Sequence, residues 1–233
     1  MKKLLIASTS TIYGSGFLEY LLPILTSFFK GVSTIIFIPY ARPGGISYDD
    51  YTQKTALVFK KIGIQVLGIH EFENSTQAIK NAEGIFTGGG NTFELVHQLY
   101  KENLWQILSE VLENGTPYLG TSAGSNICGV SMMNTNDMPI VYPQSFTTLG
   151  IIPFNINAHY LDPIATSNHM GETRETRIKE YHSYNKTPVI GLREGSWLEV
   201  IDTKITLKGT LSARWFEKDK TPVELPTNTV LKH

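Results

Sequence analysis

Short apolar blocks alternate with longer striped segments through the first half of the chain. Residues 3–7 and 34–39 read as buried strands. The second (Thr34, Ile35, Ile36, Phe37, Ile38, Pro39) is almost continuously apolar, as in a parallel strand covered on both faces. Residues 17–30 carry Leu18, Leu21, Leu22, Leu25, Phe28 and Phe29 in a helical stripe, and a second helix over 48–62 ends at Gly63. Further strands are predicted at 64–69, 84–87 and 116–119, with a short helix at 74–82 and a long one at 93–113. This rhythm predicts an α/β fold: a doubly wound, mostly parallel sheet flanked by helices, with right-handed crossovers.

Beyond residue 122 the pattern changes. Residues 132–142 read as loop, 151–159 as a strand, 165–171 as irregular and 172–181 as a charged helix. Short strands at 189–192, 196–201, 205–208 and 213–217, joined by tight turns, predict antiparallel pairing at one edge. No repeat or linker divides the chain, so residues 1–233 are expected to form one domain.

Composition narrows the class. With 41% hydrophobic and 18% charged residues among 233, the chain can build a real core. A net charge of −1 offers no electrostatic pull toward nucleic acid or an anionic membrane. The apolar run at Leu4–Ala7 is too short for a signal peptide, Ser8, Thr9 and Ser10 interrupt it, and no stretch suits a bilayer span. One cysteine fits a reducing compartment. The expectation is a cytoplasmic protein, monomer or homodimer, with no nucleic-acid or membrane partner.

The candidate chemistry centres on Gly120-Thr121-Ser122-Ala123-Gly124, between a predicted strand and a predicted helix. A serine between glycines at such a corner is the G-x-S-x-G arrangement, which displays the hydroxyl above the sheet. The Ala123 amide, at a helix start, is then free to face an oxyanion. The plainer reading is a small-residue turn whose serine caps a helix. A second corner, Gly88-Gly89-Gly90-Asn91-Thr92, frees further amides, so Gly89 or Gly90 is expected to complete an oxyanion hole. It lacks the P-loop lysine and does not complete G-x-G-x-x-G, which argues against nucleotide binding. In doubly wound sheets both corners, with the loop after Tyr40, fall on the rim where ligands bind.

Of six histidines, His97 and His182 sit in helical patterns. His159 closes a predicted strand, where a general base belongs in this architecture. Asp137 and Glu194 are the acids placed to orient it. His159, His169 and Asp162 show no metal-site spacing, so no metal or other cofactor is expected. Cys128 lacks the glycine corner and reads as a small buried side chain. In the helix over 172–181, Arg174 or Arg177 is a candidate clamp for a substrate carboxylate, against the plainer reading of a solvated charged face.

Several segments together resemble the peptidase E family of serine peptidases, the α-aspartyl dipeptidases, which also includes cyanophycinase. They include Asp49-Asp50-Tyr51-Thr52, Gly88-Gly89-Gly90-Asn91-Thr92-Phe93, Gly120-Thr121-Ser122-Ala123-Gly124, Thr135-Asn136-Asp137-Met138-Pro139, Gly171-Glu172-Thr173-Arg174-Glu175 and Glu194-Gly195. The likeness runs from the first strand to about Lys218. One departure is Thr121, where tryptophan is expected in the nearest relatives. The resemblance implies a class I glutamine amidotransferase-like, flavodoxin-like fold and metal-free cleavage of Asp-X dipeptides. Ser122 is then the nucleophile and His159 the base, with Glu194 favoured over Asp137 as orienter. Arg174 is expected to hold the aspartyl carboxylate and Asp137 the free α-ammonium. Two other readings stay open: an α/β-hydrolase-type esterase with Asp137 as orienter, and a non-catalytic sensor of an acidic metabolite.

Overall fold

The computed structural model describes residues 1–163 and 171–231. The expected irregular stretch 165–171 falls, through residue 170, outside them, as do His169 and His233. Strands β1 (Lys3–Ala7), β2 (Thr34–Ile38), β3 (Gln65–Gly68), β4 (Ile85–Thr87) and β5 (Tyr118–Thr121) run parallel in the spatial order β1-β5-β4-β2-β3. Successive side chains point to opposite faces. Leu4, Ile6, Ile36, Ile38, Ile85 and Tyr118 therefore enter one core, and Leu5, Ala7, Ile35, Phe37, Phe86 and Leu119 the other. Helices α1 (Leu22–Phe28) and α2 (Tyr48–Phe59) cover the second face. Helices α3 (Ser75–Lys80), α4 (Thr92–Lys101) and α5 (Trp105–Glu113) cover the first. With both faces buried, the polar chemistry is left to the loops beyond the strand ends.

Two helices differ from the sequence pattern. The long helix expected over 93–113 is α4 and α5, broken at Asn103, which takes a left-handed φ of 54°. Leu104 N–H then bonds back to Leu99 O at 2.9 Å, closing the end of α4. Asparagine tolerates this conformation where most residues do not, and the apolar stripe simply resumes past it. In residues 17–30 the helix proper starts only at Leu22, with Pro23 in its first turn and a 3-10 turn at Glu19–Leu21 before it.

The later strands do not all pair at one edge. After the short helix α6 (Ala123–Asn126) comes β6 (Asn155–Ala158), and after α7 (Arg174–Tyr184) comes β7 (Val189–Leu192). Strands β8 (Ser196–Ile201) and β9 (Lys204–Gly209) extend the main sheet antiparallel from β1. Strand β10 (Ala213–Phe216) instead joins β6, β7 and β11 (Val223–Leu225) in a second sheet ordered β11-β10-β7-β6, with β6 and β7 parallel. The two-residue β12 (Val230–Leu231) closes the far edge of the main sheet. Ile156, Ala158, Ile190, Leu192 and Ala213 put one face of the second sheet into the main core. Tyr160, Val189 and Phe216 pack its other side against Ile178 and Tyr181 of α7. Strands buried on both faces cannot be assigned to a sheet from their apolar content alone. Among the described residues no helix is long and apolar enough to cross a membrane.

Candidate active site

Ser122 follows β5 directly and holds φ 53°, ψ −110°, a conformation unfavourable for a residue with a side chain. The surroundings enforce it. Ser122 N–H continues the ladder to Ala7 O at 3.1 Å, and its carbonyl already accepts from Ser125 and Asn126 as α6 begins. At Gly124 a Cβ would collide with the Thr87 carbonyl, so the turn can press against β4 only with glycine there.

His159 follows β6 in the small sheet and Glu194 follows the neighbouring β7. His159 also has a left-handed φ, 54°, and Glu194 lies in a tight turn closed by Ser196 N–H on Arg193 O, with Gly195 at φ 84°. The two side chains meet: His159 Nδ1–H donates to Glu194 Oε1 at 2.6 Å. A carboxylate can only accept, so this bond puts the proton on Nδ1 and leaves Nε2 bare. Ser122 Oγ–H then donates to Nε2 at 2.9 Å. The His159 side chain is 37% exposed and that of Glu194 45%, so the relay lies on an open rim.

Asp137 is elsewhere. Its Oδ2 accepts from Thr92 N–H at 2.8 Å, from Thr92 Oγ1 at 2.5 Å and from Thr135 Oγ1 at 3.1 Å. It thus holds the first residue of α4, where a negative charge suits the helix dipole. The loop bearing it is laced to β6. Asn134 Nδ2 donates to Ile156 O at 2.9 Å, Asn136 Nδ2 to Ala158 O at 3.0 Å and Asn157 Nδ2 to Asn134 O at 2.8 Å. These asparagines cover the otherwise unpaired edge of β6, the strand that delivers His159.

The glycine corner lies against the nucleophile. A Cβ on Gly89 would stand 3.6 Å from Ser122 Oγ. Gly90 adopts φ 152°, and a Cβ there would strike the Ala41 carbonyl. Gly89 N–H donates to the Tyr51 hydroxyl at 3.1 Å. Among the described residues, the amides of Gly90 and Ala123 make no hydrogen bond. Burial raises the Tyr51 hydroxyl above its ordinary pKa, so it stays protonated at neutral pH.

Arg174 opens α7 and is half-buried, with no acidic side chain bonded to it among the described residues. Desolvation and the neighbouring Arg177 lower its pKa, against the opposing charge of Asp137. Among the described residues no three His, Cys, Asp or Glu side chains group as metal ligands. Cys128 is buried, which pushes its thiol up and makes it a poor nucleophile.

Residues 4–208 match the model of peptidase family S51. The chain belongs to that family. It is a serine-type peptidase. It is 43% identical over 228 residues to peptidase E of Streptomyces coelicolor, covering 98% of this chain and 93% of that one. It is 43% identical over 227 residues to a protein of Drosophila melanogaster named a probable alpha-aspartyl dipeptidase, covering 96% and 93%. The crystal structure of a peptidase from an acI-B1 Actinobacterium superposes with TM-score 0.73 at 16% identity, covering 100% of this chain and 97% of that one, and shows the shared fold.

The contacts of Ser8, Arg42, Arg193 and the asparagines of the loop over 132–142 are not marked by their local residue patterns. Only the density of asparagine around residues 134–136 and 155–157 signalled that loop and strand would pair.

Proposed function

We propose that this peptidase hydrolyses dipeptides with an amino-terminal aspartate through an acyl-enzyme on Ser122. The observation that carries the reading is the continuous relay from Glu194 through His159 to Ser122 Oγ. His159 Nε2 takes the hydroxyl proton as Oγ attacks the peptide carbonyl, and Glu194 stabilises the imidazolium that forms. The amides of Ala123 and Gly90 receive the oxyanion. His159 returns the proton to the leaving amine, the C–N bond breaks, and the second residue departs. Water, deprotonated by His159, then attacks the ester, and His159 returns that proton to Ser122 Oγ as the C–O bond breaks and aspartate leaves.

The aspartyl residue bears an ammonium and a carboxylate on adjacent carbons. Asp137 and Arg174 offer the complementary pair, one carboxylate and one guanidinium close enough to sense each other. A cation in the first turn of α7 opposes the helix dipole, so the helix itself gives no reason for Arg174 to stand there. The relative's name points to the same substrate class. The esterase reading needs Asp137 beside His159, whereas its Oδ2 serves Thr92 and Thr135. The sensor reading leaves the strained serine and its relay without a task. We place the enzyme in the cytoplasm, as a monomer or homodimer with a small peptide as its partner, a setting supported by its lone thiol.

A dipeptide panel tests this. Asp-Leu should be cut, Glu-Leu, Asn-Leu and isoaspartyl-Leu poorly or not at all, and Ser122→Ala should cut none. Equal turnover of Asn-Leu and Asp-Leu would remove Arg174 from carboxylate recognition. Failure of a fluorophosphonate probe to label Ser122 would remove its hydroxyl from the role of nucleophile.

A further inference from the structure

Ser122 stands between the two faces of the main sheet, and its surroundings differ on the two sides. Asp137 and Thr92 lie on the face packed by α4 and α5. On the other face, beside α2, lies a cleft of ≈ 320 Å³ lined among others by Thr11, Phe17, Arg42, Tyr51 and Lys54, of which Arg42 and Tyr51 both bond to Gly89. Tyr51 belongs to the core of that face, and Phe17, partly buried, packs against it.

Two cations define this cleft. Arg42 Nε donates to Gly89 O at 3.1 Å, and its guanidinium carbon lies 5.7 Å from the centre of the Tyr51 ring. Lys54 Nζ lies 4.9 Å from the centre of the Phe17 ring. Among the described residues neither has an acidic partner, whereas Arg193 and Arg214 are both engaged by carboxylates. Gly89 links the cleft to the chemistry, since its carbonyl anchors Arg42 while its Cα side faces Ser122.

We propose that the cleft is the subsite for the leaving residue, and that Arg42 pairs with its free α-carboxylate. The proposal rests on the Asp-X reading above. With the aspartyl end held on the Asp137 side, the scissile bond crosses Ser122 and the second residue enters the opposite side. Its carboxylate lies one residue further on, about 3.5 Å along an extended chain. On that side the Arg42 guanidinium is bonded to the carbonyl of Gly89, the glycine beside the nucleophile. The second side chain rests against Phe17 and Ile46, while Lys54 adds positive potential further out. A tripeptide presents a neutral amide where the dipeptide presents a charge, so Arg42 selects for length as well as sign.

Three substrates separate the possibilities: Asp-Leu, Asp-Leu-amide and Asp-p-nitroanilide, assayed with the wild-type protein, Arg42→Gln and Arg42→Lys. The wild type is expected to favour Asp-Leu over its amide by about 10-fold or more in kcat/KM, mainly through KM. Arg42→Gln should bring that ratio close to one, and Arg42→Lys should restore part of it. A ratio that persists in Arg42→Gln overturns the proposal, including the case where all rates fall together because the glycine corner has shifted. Wild-type cleavage of Asp-p-nitroanilide with no preference for the carboxylate overturns the subsite alone. No cleavage of any of the three overturns the Asp-X reading and the subsite with it.

Discussion

The Ser8 hydroxyl holds His159 by its backbone. It accepts from His159 N–H at 2.9 Å and donates to Leu192 O at 2.6 Å, fully buried between the end of β1 and the two strands of the small sheet. A left-handed φ in a residue other than glycine persists only where several contacts impose it. Ser8→Ala would leave the His159 N–H unpaired and take from Leu192 O one of its two donors, the other being Tyr160 N–H at 3.1 Å, at a cost of about 1–3 kcal/mol in unfolding free energy. The imidazole would also lose its fixed approach to Ser122, so kcat should fall about 10- to 100-fold with KM near the wild-type value. Urea unfolding and steady-state kinetics on Asp-Leu measure both. A stability loss with kcat intact would make Ser8 part of the scaffold alone.

Glu194 and Asp137 can be told apart by amide variants. Glu194→Gln cannot accept the Nδ1 proton as strongly and permits the wrong tautomer, so kcat should fall by about 10²-fold or more. Asp137→Asn removes a charged acceptor from the first turn of α4, and its larger effect should be on KM for Asp-X and on thermal stability. The opposite pattern, with kcat lost in Asp137→Asn and kept in Glu194→Gln, would hand the orienting role to Asp137.

Much of this was legible in the residues. The glycine corners, the serine, the alternating strands and the histidine at a strand end follow from local chemistry that does not depend on the rest of the chain. What was hidden shares a cause. Ser8 looks like any loop serine until β7 brings Leu192 to it, and Arg193 like any surface arginine until Asp162 and Glu224 arrive. The choice between Asp137 and Glu194 is likewise set by tertiary placement, because it depends on β6 and β7 pairing in a sheet of their own. The break at Asn103 is hidden for the reverse reason: the apolar stripe continues through it, and one asparagine in a left-handed conformation makes it.

Arg193 ties the histidine segment to the acid beside it. Its Nε and Nη2 donate to both oxygens of Asp162, three residues past His159, at 2.8 and 2.9 Å. Its Nη1 reaches Ser212 O at 2.8 Å and Glu224 at 2.5 Å. Arg193→Met should therefore lower kcat about 10-fold by loosening the His159–Glu194 geometry, and Arg193→Lys, unable to form the paired bonds, should recover only part. The bond from Arg193 holds the Glu224 carboxyl below the usual carboxylate range. A depressed folded pKa means that the stabilisation is present above the unfolded value, about 4.3, and is lost as pH falls through the folded one. The stability gap between wild type and Arg193→Met should thus narrow below about pH 4, read as urea midpoints across pH. A constant gap would assign the effect to packing.

Ser122 itself stores strain that a substitution can release. Its φ of 53° with ψ −110° is disfavoured for serine and for alanine alike, at a cost of about 1–3 kcal/mol, while glycine adopts it freely. Glycine brings an opposing loss of about 0.5–1 kcal/mol through the greater freedom of its unfolded chain. Ser122→Gly should therefore unfold at a higher temperature than Ser122→Ala, by a margin near 1 kcal/mol, with both variants inactive on Asp-Leu. Because both lack the hydroxyl, the bond to His159 Nε2 is lost equally and cancels in the comparison. If Ser122→Ala proved the more stable, the backbone at this corner would be relaxed, and the display of the hydroxyl would need another explanation than a turn held taut by its neighbours.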